Sequence, residues 1–278
     1  GTGKGTFFCL LQKIWLKTTL IVSDVDHVIG GFNAALERNY AVCMDEALFS
    51  SQKKAMDRLK SFITEAKITV EQKYLPRRSL DSIHRFFAAT NHEHFGNIEL
   101  DSRRFVFLDV SNKFQKNDEY FEILYDAINN STEINQLYSD LLSRDIVNFK
   151  VRKKPETKAL LKQKLKSLNG FPRYWYEVLT LGYFDVGGRE QSCIDWTDPN
   201  FISSKSLFYY YKNFQNGKRL YDTIQFNEIS NHIKKLCTQA NSVRKCRNNS
   251  SERGYQLPSL IDARKSFENV IGTKIKWP

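Results

Sequence analysis

Residues 41–46 have the sequence Ala-Val-Cys-Met-Asp-Glu, a short apolar run that ends in two adjacent carboxylates. Four consecutive apolar residues are typical of a strand that is buried on both faces of a parallel sheet. Nucleotide hydrolysis needs one acid to hold Mg²⁺ and a second to polarise the attacking water. Asp45 fits the first role and Glu46 the second, although a strand followed by a helix that begins with Asp-Glu gives the same pattern.

The rest of the first 115 residues favours an α/β fold, because short apolar runs alternate with segments of helical period. Three further runs predict buried strands: residues 19–22, 85–89 and 105–108. Residues 50–63 predict a helix, since their apolar side chains recur at helical spacing behind serines that suit a helix cap.

After residue 116 the period is helical. Helices are predicted at residues 117–128, 131–142 and 155–170, the last with Pro155 at its start and Gly170 at its end. Residues 183–200 contain Gly187-Gly188 and Asp198-Pro199, which are typical of a connector.

The last 78 residues carry 14 Lys and Arg against 5 Asp and Glu, so most of the chain's net charge of +11 lies there. Three short helices are predicted, around residues 204–214, 226–237 and 259–271, with a charged turn or wing at residues 244–249. This pattern suits a winged-helix-like module in which Arg244 and Lys245 contact DNA. A polyanion partner and a solvated basic surface both fit the charge.

We therefore expect an α/β core (residues 1–115), a helical subdomain (116–182), a connector (183–200) and a basic winged-helix-like domain (201–278). Hydrophobic residues make up 41% of the chain and aromatic residues 13%, which indicates an ordered globular protein. The five cysteines are scattered without zinc-like spacing, so we expect reduced thiols. No signal peptide or membrane-spanning run is visible, which favours an intracellular protein.

The chain begins with a glycine-rich segment that resembles a phosphate-binding loop, followed by an apolar helix-like run. In such loops backbone N–H groups and a helix N-terminus converge on the anion, and a lysine reaches the outer phosphates. The candidate ATP contacts are Gly1, Thr2, Gly3, Lys4, Gly5 and Thr6. Gly5 stands where a magnesium-binding hydroxyl is expected, and Thr6 follows one place later. No strand precedes the loop, so a glycine-rich tag is the alternative.

A polar residue also follows the predicted strand at residues 85–89. Asn91 could there hydrogen-bond the γ-phosphate or the attacking water. His92-Glu93-His94 has no third ligand at useful spacing, so we do not favour a metal site there. Further on, Arg103 and Arg104 could supply an arginine finger to a neighbouring subunit, or they could form a plain surface pair.

Residues 66–79 predict a basic hairpin, with Ile68 and Val70 starting a strand that Pro76 helps to end. Its four cations are Lys67, Lys73, Arg77 and Arg78. Such a hairpin could contact the backbone of single-stranded nucleic acid, and a solvated hairpin is the alternative.

In order and spacing these motifs resemble those of superfamily 3 helicases. The match is closest to the helicase part of phage, plasmid and viral primase-helicases, the group with a D5-like or primase-polymerase N-terminal half. The segments that carry the resemblance are GTGKGTF, HVIGGFNAALERNYAVCMDEAL, KAMDRLKSFITEAKITVEQK, FFAATNHEHF and DSRRFVFLDVS, and it continues through YFEILYDAI, DLLSRDI and RGYQLPSLIDARKSFENVIG.

The resemblance implies an AAA+-like P-loop NTPase core that uses ATP and Mg²⁺, self-association into a ring (commonly a hexamer) and translocation on single-stranded DNA. It implies a parallel sheet lacking its first strand, since the chain starts within the phosphate loop, and a missing N-terminal primase or polymerase domain. The expected compartment is the cytoplasm of an infected or plasmid-bearing cell.

The resemblance also implies a role for each matching residue. Lys4 and Thr6 would belong to motif A, Asp45 and Glu46 to motif B, Lys67 and Lys73 to the flanks of the B′ hairpin, Asn91 to the motif C sensor, and Arg103 or Arg104 to the finger. Two other functions remain open: a nucleic-acid-binding replication adaptor with a degenerate ATP site, and a non-helicase P-loop ATPase such as a packaging motor.

Overall fold

The computed structural model describes the whole chain except residues 48, 50–52, 101, 151–152, 186–192, 197–199, 219–223 and 248–249, and the side chains of residues 200, 247 and 250. The chain divides into two compact units. Unit 1 comprises Gly1–Ile98 and Ser102–Gln163, and unit 2 comprises Glu99–Asp101 and Lys164–Pro278. The finer division into four regions stays a prediction.

Unit 1 is built on a parallel three-stranded sheet of order β1-β2-β5. Its strands are β1 (Thr19–Val22), β2 (Ala41–Met44) and β5 (Arg85–Ala88), which confirms three of the predicted strands. The central strand β2 is buried along its whole length because its two faces pack on different clusters. Val42 and Met44 lie in the larger core, whereas Cys43 lies in a smaller one.

Helices cover both clusters. Helix α1 (Lys4–Ile14) contributes Phe8 and Leu11 to the smaller cluster. Helix α3 (Lys53–Thr64) confirms the helix predicted there and buries Met56, Leu59 and Phe62 in the larger core. The serines that were expected to cap α3 lie outside the described residues. The short helix α2 (Asp26–Ile29) and a 3-10 helix (Ala34–Arg38) connect β1 to β2.

A second pair of strands, β3 (Lys67–Val70) and β4 (Arg78–Asp81), forms the antiparallel hairpin expected from the sequence. We call residues 67–81 the core hairpin. Ile68 and Val70 alternate into the larger core while the residues between them are exposed. This alternation anchors the hairpin through one face of β3, while the turn residues 72–77 are exposed.

The prediction of a strand at residues 105–108 is wrong, because these residues have no regular secondary structure. Phe105 and Phe107 instead pack against the ring of Phe95, with ring centroids 6.4 and 5.6 Å apart. The carbonyl of Phe107 accepts a hydrogen bond from the Thr157 hydroxyl. Aromatic packing therefore holds Phe105 and Phe107 without a sheet partner, while Val106 and Leu108 are exposed.

The next helices agree with two of the predicted helices and with the middle of the third, which starts at Lys158 rather than at Pro155. Helix α4 (Asp118–Asn129) is capped by Asn117, whose side chain accepts a hydrogen bond from the backbone N–H of Tyr120. Helix α5 (Ser131–Leu142) begins at Asn130 in the same way, and helix α6 (Lys158–Lys166) follows. Gly170 does not end the third predicted helix; with φ of 53° it is the first residue of α7 (Gly170–Leu181).

Unit 2 contains a second sheet, antiparallel and of order β8-β10-β9. In chain order its elements are α7, β6 (Tyr183–Asp185), β7 (Cys193–Asp195), β8 (Asn200–Ser203), α8 (Ser204–Lys218), a 3-10 helix (Phe226–Glu228), α9 (Ile229–Leu236), β9 (Asn241–Arg247), β10 (Ser250–Leu257) and α10 (Leu260–Ile271). The three helices predicted here are confirmed. We call residues 241–257 the C-terminal hairpin.

The predicted connector at residues 183–200 holds two paired strands, β6 and β7, so it is more ordered than a plain linker. Gly187-Gly188 and Asp198-Pro199 lie outside the described residues. The core of unit 2 is aromatic, with fully buried Trp175, Phe171 and Tyr211 packed ring against ring. Within the described residues, no helix is both long and apolar enough to cross a membrane.

Candidate nucleotide site and nucleic-acid-binding hairpins

The candidate catalytic residues follow the carboxyl ends of neighbouring strands, which lie at one edge of a parallel sheet. Asp45 and Glu46 come directly after β2, and Asn91 lies three residues after β5. Backbone hydrogen bonds hold this edge together: Asp45 donates to Val22 (2.8 Å), and Ala89 donates to Met44 (2.9 Å). The backbone that carries the two acids is therefore fixed to both neighbouring strands.

The glycine-rich segment meets this edge through a direct contact. The Lys4 ammonium donates a hydrogen bond to the side-chain carbonyl of Asn91 at 2.5 Å, joining residues 87 positions apart. Lys4 also lies 3.5 Å from the Thr2 hydroxyl. Two residues that the sequence assigned to different motifs thus share one location.

The N-terminus of α1 has the features of an anion site. Gly3 caps the helix with φ of 84°, no side chain caps the free N–H groups, and the first turn contains no acid. Those N–H groups and the helix dipole favour a negative ligand. A Cβ at Gly5 or Gly1 would meet nothing within 4 Å, so the backbone is open to close approach at these positions.

Helix α4 covers part of the glycine-rich segment at residues 1–6. The sequence analysis did not anticipate this contact. Thr6 is only 5% exposed, and its hydroxyl lies 3.0 Å from the hydroxyl of Tyr125. The ring of Phe121 would lie 3.0 Å from a Cβ at Gly3. Phe121 and Tyr125 are one helical turn apart on α4, and this spacing was the only signal in the sequence that they share a face. The expected magnesium-binding hydroxyl is therefore occupied by the chain itself.

The two acids have different environments. Asp45 is half-buried and accepts a hydrogen bond from the Glu46 N–H at 3.0 Å. Glu46 is exposed and has φ of 52°, a left-handed conformation that non-glycine residues rarely adopt and that recurs at functional sites. Behind them, burial raises the pKa of the Cys43 thiol to about 12, so this cysteine remains a protonated core residue.

The donor set fits Mg²⁺ bound together with a nucleotide. This ion commonly takes one or two protein ligands, with phosphate and water oxygens completing its octahedron. Asp45 and Thr6 could be those ligands. The described residues contain no group of three or more His, Cys, Asp or Glu side chains that could hold a metal without a nucleotide.

The two candidate finger arginines differ in their surroundings. Arg104 donates from Nε to the Thr64 hydroxyl at 2.9 Å, which ties it to the end of α3. Arg103 is exposed. Arg103 is therefore the one better placed to reach beyond its own chain.

The core hairpin is tied to the loop before β2. Asn33, fully buried, donates from its side chain to the carbonyl of Thr69 and accepts from the Glu71 N–H, at 3.1 and 2.9 Å. The two terminal guanidinium nitrogens of Arg78, Nη1 and Nη2, donate to the two carboxylate oxygens of Glu37, each at 2.8 Å. This loop therefore holds the hairpin in place, which the sequence analysis did not anticipate.

The candidate DNA-binding cations of the core hairpin are not equivalent. Arg77 and Arg78 are paired with Glu71 and Glu37, whereas Lys67 and Lys73 are exposed. Tyr74, which the sequence analysis passed over, is 91% exposed in the turn with φ of 67°. Lys73 lies 5.4 Å above its ring. The turn thus presents an aromatic face beside a cation.

The candidate cations of the C-terminal hairpin lie within strand β9 rather than in a turn. Arg244 is directly opposite Arg253, and Lys245 is opposite Glu252. Lys245 also lies 4.8 Å above the ring of Phe201. Of the turn or wing expected here, the structure has the antiparallel strand pair of a wing, so only the turn alternative is wrong for these two residues. Residues 248–249 lie outside the described part of the chain.

Comparison with known proteins gives a fold but no function. A family model described as a family of unknown function (DUF5906) matches residues 1–104. No curated protein matches. A solved apo structure of the NrS-1 C-terminal region (305–718) superposes with a TM-score of 0.65 at 18% identity, over 92% of this chain and 64% of that one.

Two A-form apo structures of the same NrS-1 region give TM-scores of 0.62 and 0.58, both at 17% identity and with the same coverages. The present chain thus spans 64% of the length of these solved chains. The mixed α/β fold of the chain is therefore similar to that of the NrS-1 C-terminal region.

Proposed function

We propose that the chain is the ATPase motor of a replicative DNA helicase of the superfamily 3 type, which couples ATP hydrolysis to movement along single-stranded DNA. The observation that supports this best is the contact between Lys4 and Asn91 at the same sheet edge as Asp45 and Glu46. A phosphate-binding lysine, a sensor, a metal ligand and a water-polarising acid must lie together for phosphoryl transfer, and this edge brings together the residue types required.

Each residue then has a defined task. The free N–H groups of α1 and the Lys4 ammonium hold the phosphates. Thr6 and Asp45 hold Mg²⁺, which when bound neutralises charge on the phosphate oxygens. Glu46 orients the attacking water. Asn91, which accepts a hydrogen bond from Lys4 in this structure, is positioned to detect the γ-phosphate when Lys4 turns to the nucleotide.

The order of elements along the chain offers a way to couple ATP hydrolysis to movement of DNA. Strand β4 of the core hairpin ends at Asp81 and β5 begins at Arg85, so only three residues separate the hairpin from the strand that leads to Asn91. A shift at Asn91 can thus be transmitted along β5 to the hairpin. Lys67, Lys73 and Tyr74 would contact the strand of DNA, and Arg103 would serve the site of a neighbouring copy in a ring.

One observation favours a second function, a nucleic-acid-binding adaptor with a degenerate ATP site. The Thr6 hydroxyl is bound to Tyr125, and Phe121 packs against Gly3. If α4 remained in this position, Mg²⁺-ATP could not use Thr6. The helicase proposal therefore requires that Tyr125 release Thr6 when nucleotide binds.

Turnover distinguishes the two functions. ATP hydrolysis by this chain should be stimulated by single-stranded DNA, and Glu46→Gln should lower kcat by roughly 10²- to 10⁴-fold, the usual contribution of a positioned base, while leaving ATP affinity unchanged. The same substitution at Glu65, an exposed acid at the end of α3, is the control. Equal turnover in the wild-type and Glu46→Gln chains would contradict the site assignment.

Nucleotide binding tests the role of α4. Tyr125→Phe removes the hydroxyl that contacts Thr6 while keeping the ring, so the affinity for a fluorescent Mg²⁺-ATP analogue should rise about threefold to tenfold, the equivalent of one hydrogen bond. Tyr138→Phe on α5 is the matched control. The absence of nucleotide binding in both the wild-type and Tyr125→Phe chains would favour the adaptor.

A further inference from the structure

Helix α9 has one buried face and one strongly basic face. Ile229, Ile233 and Leu236 are buried in unit 2. On the opposite side Asn231, Lys234 and Lys235 are exposed. The helix therefore presents an amide and two ammonium groups to solvent from a rigidly packed support.

The strand pair that follows α9 places like charges together. Arg244 and Arg253 are register partners of β9 and β10, so their side chains leave the same face of the hairpin, and both are exposed. Like charges directly opposite one another destabilise a strand pair. Within the described part of the chain, neither arginine has an acidic partner, and the same holds for Lys234 and Lys235.

The two groups are close along the chain. Helix α9 ends at Leu236 and β9 begins at Asn241. The connection is fixed by Thr238, whose N–H and hydroxyl lie 2.8 and 2.9 Å from the Ser266 hydroxyl on α10. Residues 204–257 contain 10 Lys and Arg against 3 Asp and Glu. The segment that contains α9 and the C-terminal hairpin is thus strongly basic.

We propose that the outer face of α9 and the arginine pair of the C-terminal hairpin form a binding surface for double-stranded nucleic acid. An exposed α-helix has the width of a B-DNA major groove, where Asn231 could read base edges and Lys234 and Lys235 could contact phosphates. The hairpin arginines contact the flanking backbone, and a phosphate there relieves their mutual repulsion.

The chemistry of the surface favours a duplex over a single strand. Single-strand sites combine cations with aromatic side chains on which bases stack. The exposed residues of α9 are polar and cationic. Its one aromatic side chain, the imidazole of His232, packs on the ring of Phe171 inside unit 2. This surface is separate from the proposed ATP site and does not depend on hydrolysis.

Binding of a fluorescent blunt duplex and of a labelled oligo-dT strand to the full chain tests the proposal. Lys234→Ala together with Lys235→Ala should weaken duplex binding on the order of tenfold at moderate salt and reduce the slope of log affinity against log salt by about 2, as expected for two lost phosphate contacts. Oligo-dT affinity should stay within twofold of wild type. Arg244→Ala with Arg253→Ala should act in the same direction.

The matched control is Lys274→Ala with Lys276→Ala, two exposed lysines beyond α10. It removes the same charge and should leave duplex affinity within twofold. Equal losses for the α9 pair and the control pair, or equal losses on duplex and oligo-dT, would overturn the proposal. Because no ATP is present, an inactive Glu46 site would not alter these outcomes, so the two proposals can fail independently.

Discussion

The core hairpin and the C-terminal hairpin are both basic, but the partners of their cations differ. In the core hairpin, Arg77 and Arg78 are paired with nearby carboxylates, and an exposed tyrosine occupies the turn. In the C-terminal hairpin, Arg244 and Arg253 face each other across the strands. The core hairpin therefore offers a ligand an exposed aromatic ring, whereas the C-terminal hairpin offers positive charge that no carboxylate of the described residues neutralises.

This difference indicates two kinds of nucleic-acid contact. Stacking on an aromatic residue suits an unpaired base and depends weakly on salt, while adjacent cations suit a phosphate backbone and depend strongly on it. A count of Lys and Arg in the sequence ranks the two hairpins as equivalent. Their partners in the folded chain separate them.

The largest expected effect concerns the anchoring of the core hairpin. Asn33→Ala removes a buried side chain that satisfies the Thr69 carbonyl and the Glu71 N–H. Leaving both groups unpaired should lower the free energy of unfolding by about 3 kcal/mol. Urea unfolding would measure this, with Asn39→Ala as the control, since Asn39 is only half-buried and its side chain donates to the carbonyl of Ala35. Equal losses in the two variants would mean that Asn33 is no special anchor.

An intermediate effect is expected at the turn. Tyr74→Ala should weaken binding of an oligo-dT strand by about 2 kcal/mol, the typical value of one base–aromatic stack, and leave duplex affinity unchanged. Tyr74→Phe keeps the ring and should retain wild-type affinity. Fluorescence anisotropy at two salt concentrations would check both variants. A loss in Tyr74→Phe as large as that in Tyr74→Ala would show that stacking is not the cause.

The smallest effect tests the like-charge pair. Arg253→Glu places an acid opposite Arg244, so the free chain should gain about 0.5 kcal/mol of stability while its duplex affinity falls. Lys276→Glu, a charge reversal at an exposed lysine beyond α10, is the control. Thermal unfolding together with duplex titration gives the result. Destabilisation of the free chain by Arg253→Glu would contradict the claim that the arginines repel each other.

Much of the secondary structure was predictable because the signals are local. Four consecutive apolar residues predicted β2, and helical spacing predicted α3, α4 and α5. The strand expected at residues 105–108 failed because ring packing of Phe105 and Phe107 on Phe95 holds this segment without strand pairing, and a short apolar run alone does not distinguish the two. Gly170 was misplaced because a glycine with positive φ can begin one helix as well as end another.

The sequence predicted single residues of the candidate site but not the contacts between them. Polar residues after apolar strands indicated Asp45, Glu46 and Asn91 without showing which groups meet. The Tyr125 hydroxyl on Thr6 joins residues 119 positions apart, so no spacing rule could reveal it. Tyr74 was missed because the exposure of a turn residue depends on what packs beside the turn.

The sequence by itself determined the local elements, the acids and amide at the ends of strands, and the excess of positive charge in the last 78 residues. Those properties follow from the period and composition of short segments. The tertiary structure decided that Lys4 reaches Asn91, that Tyr125 holds Thr6, and which cations remain unpaired. These contacts depend on strand order and on helix packing between distant parts of the chain, and both are set by burial of the whole core.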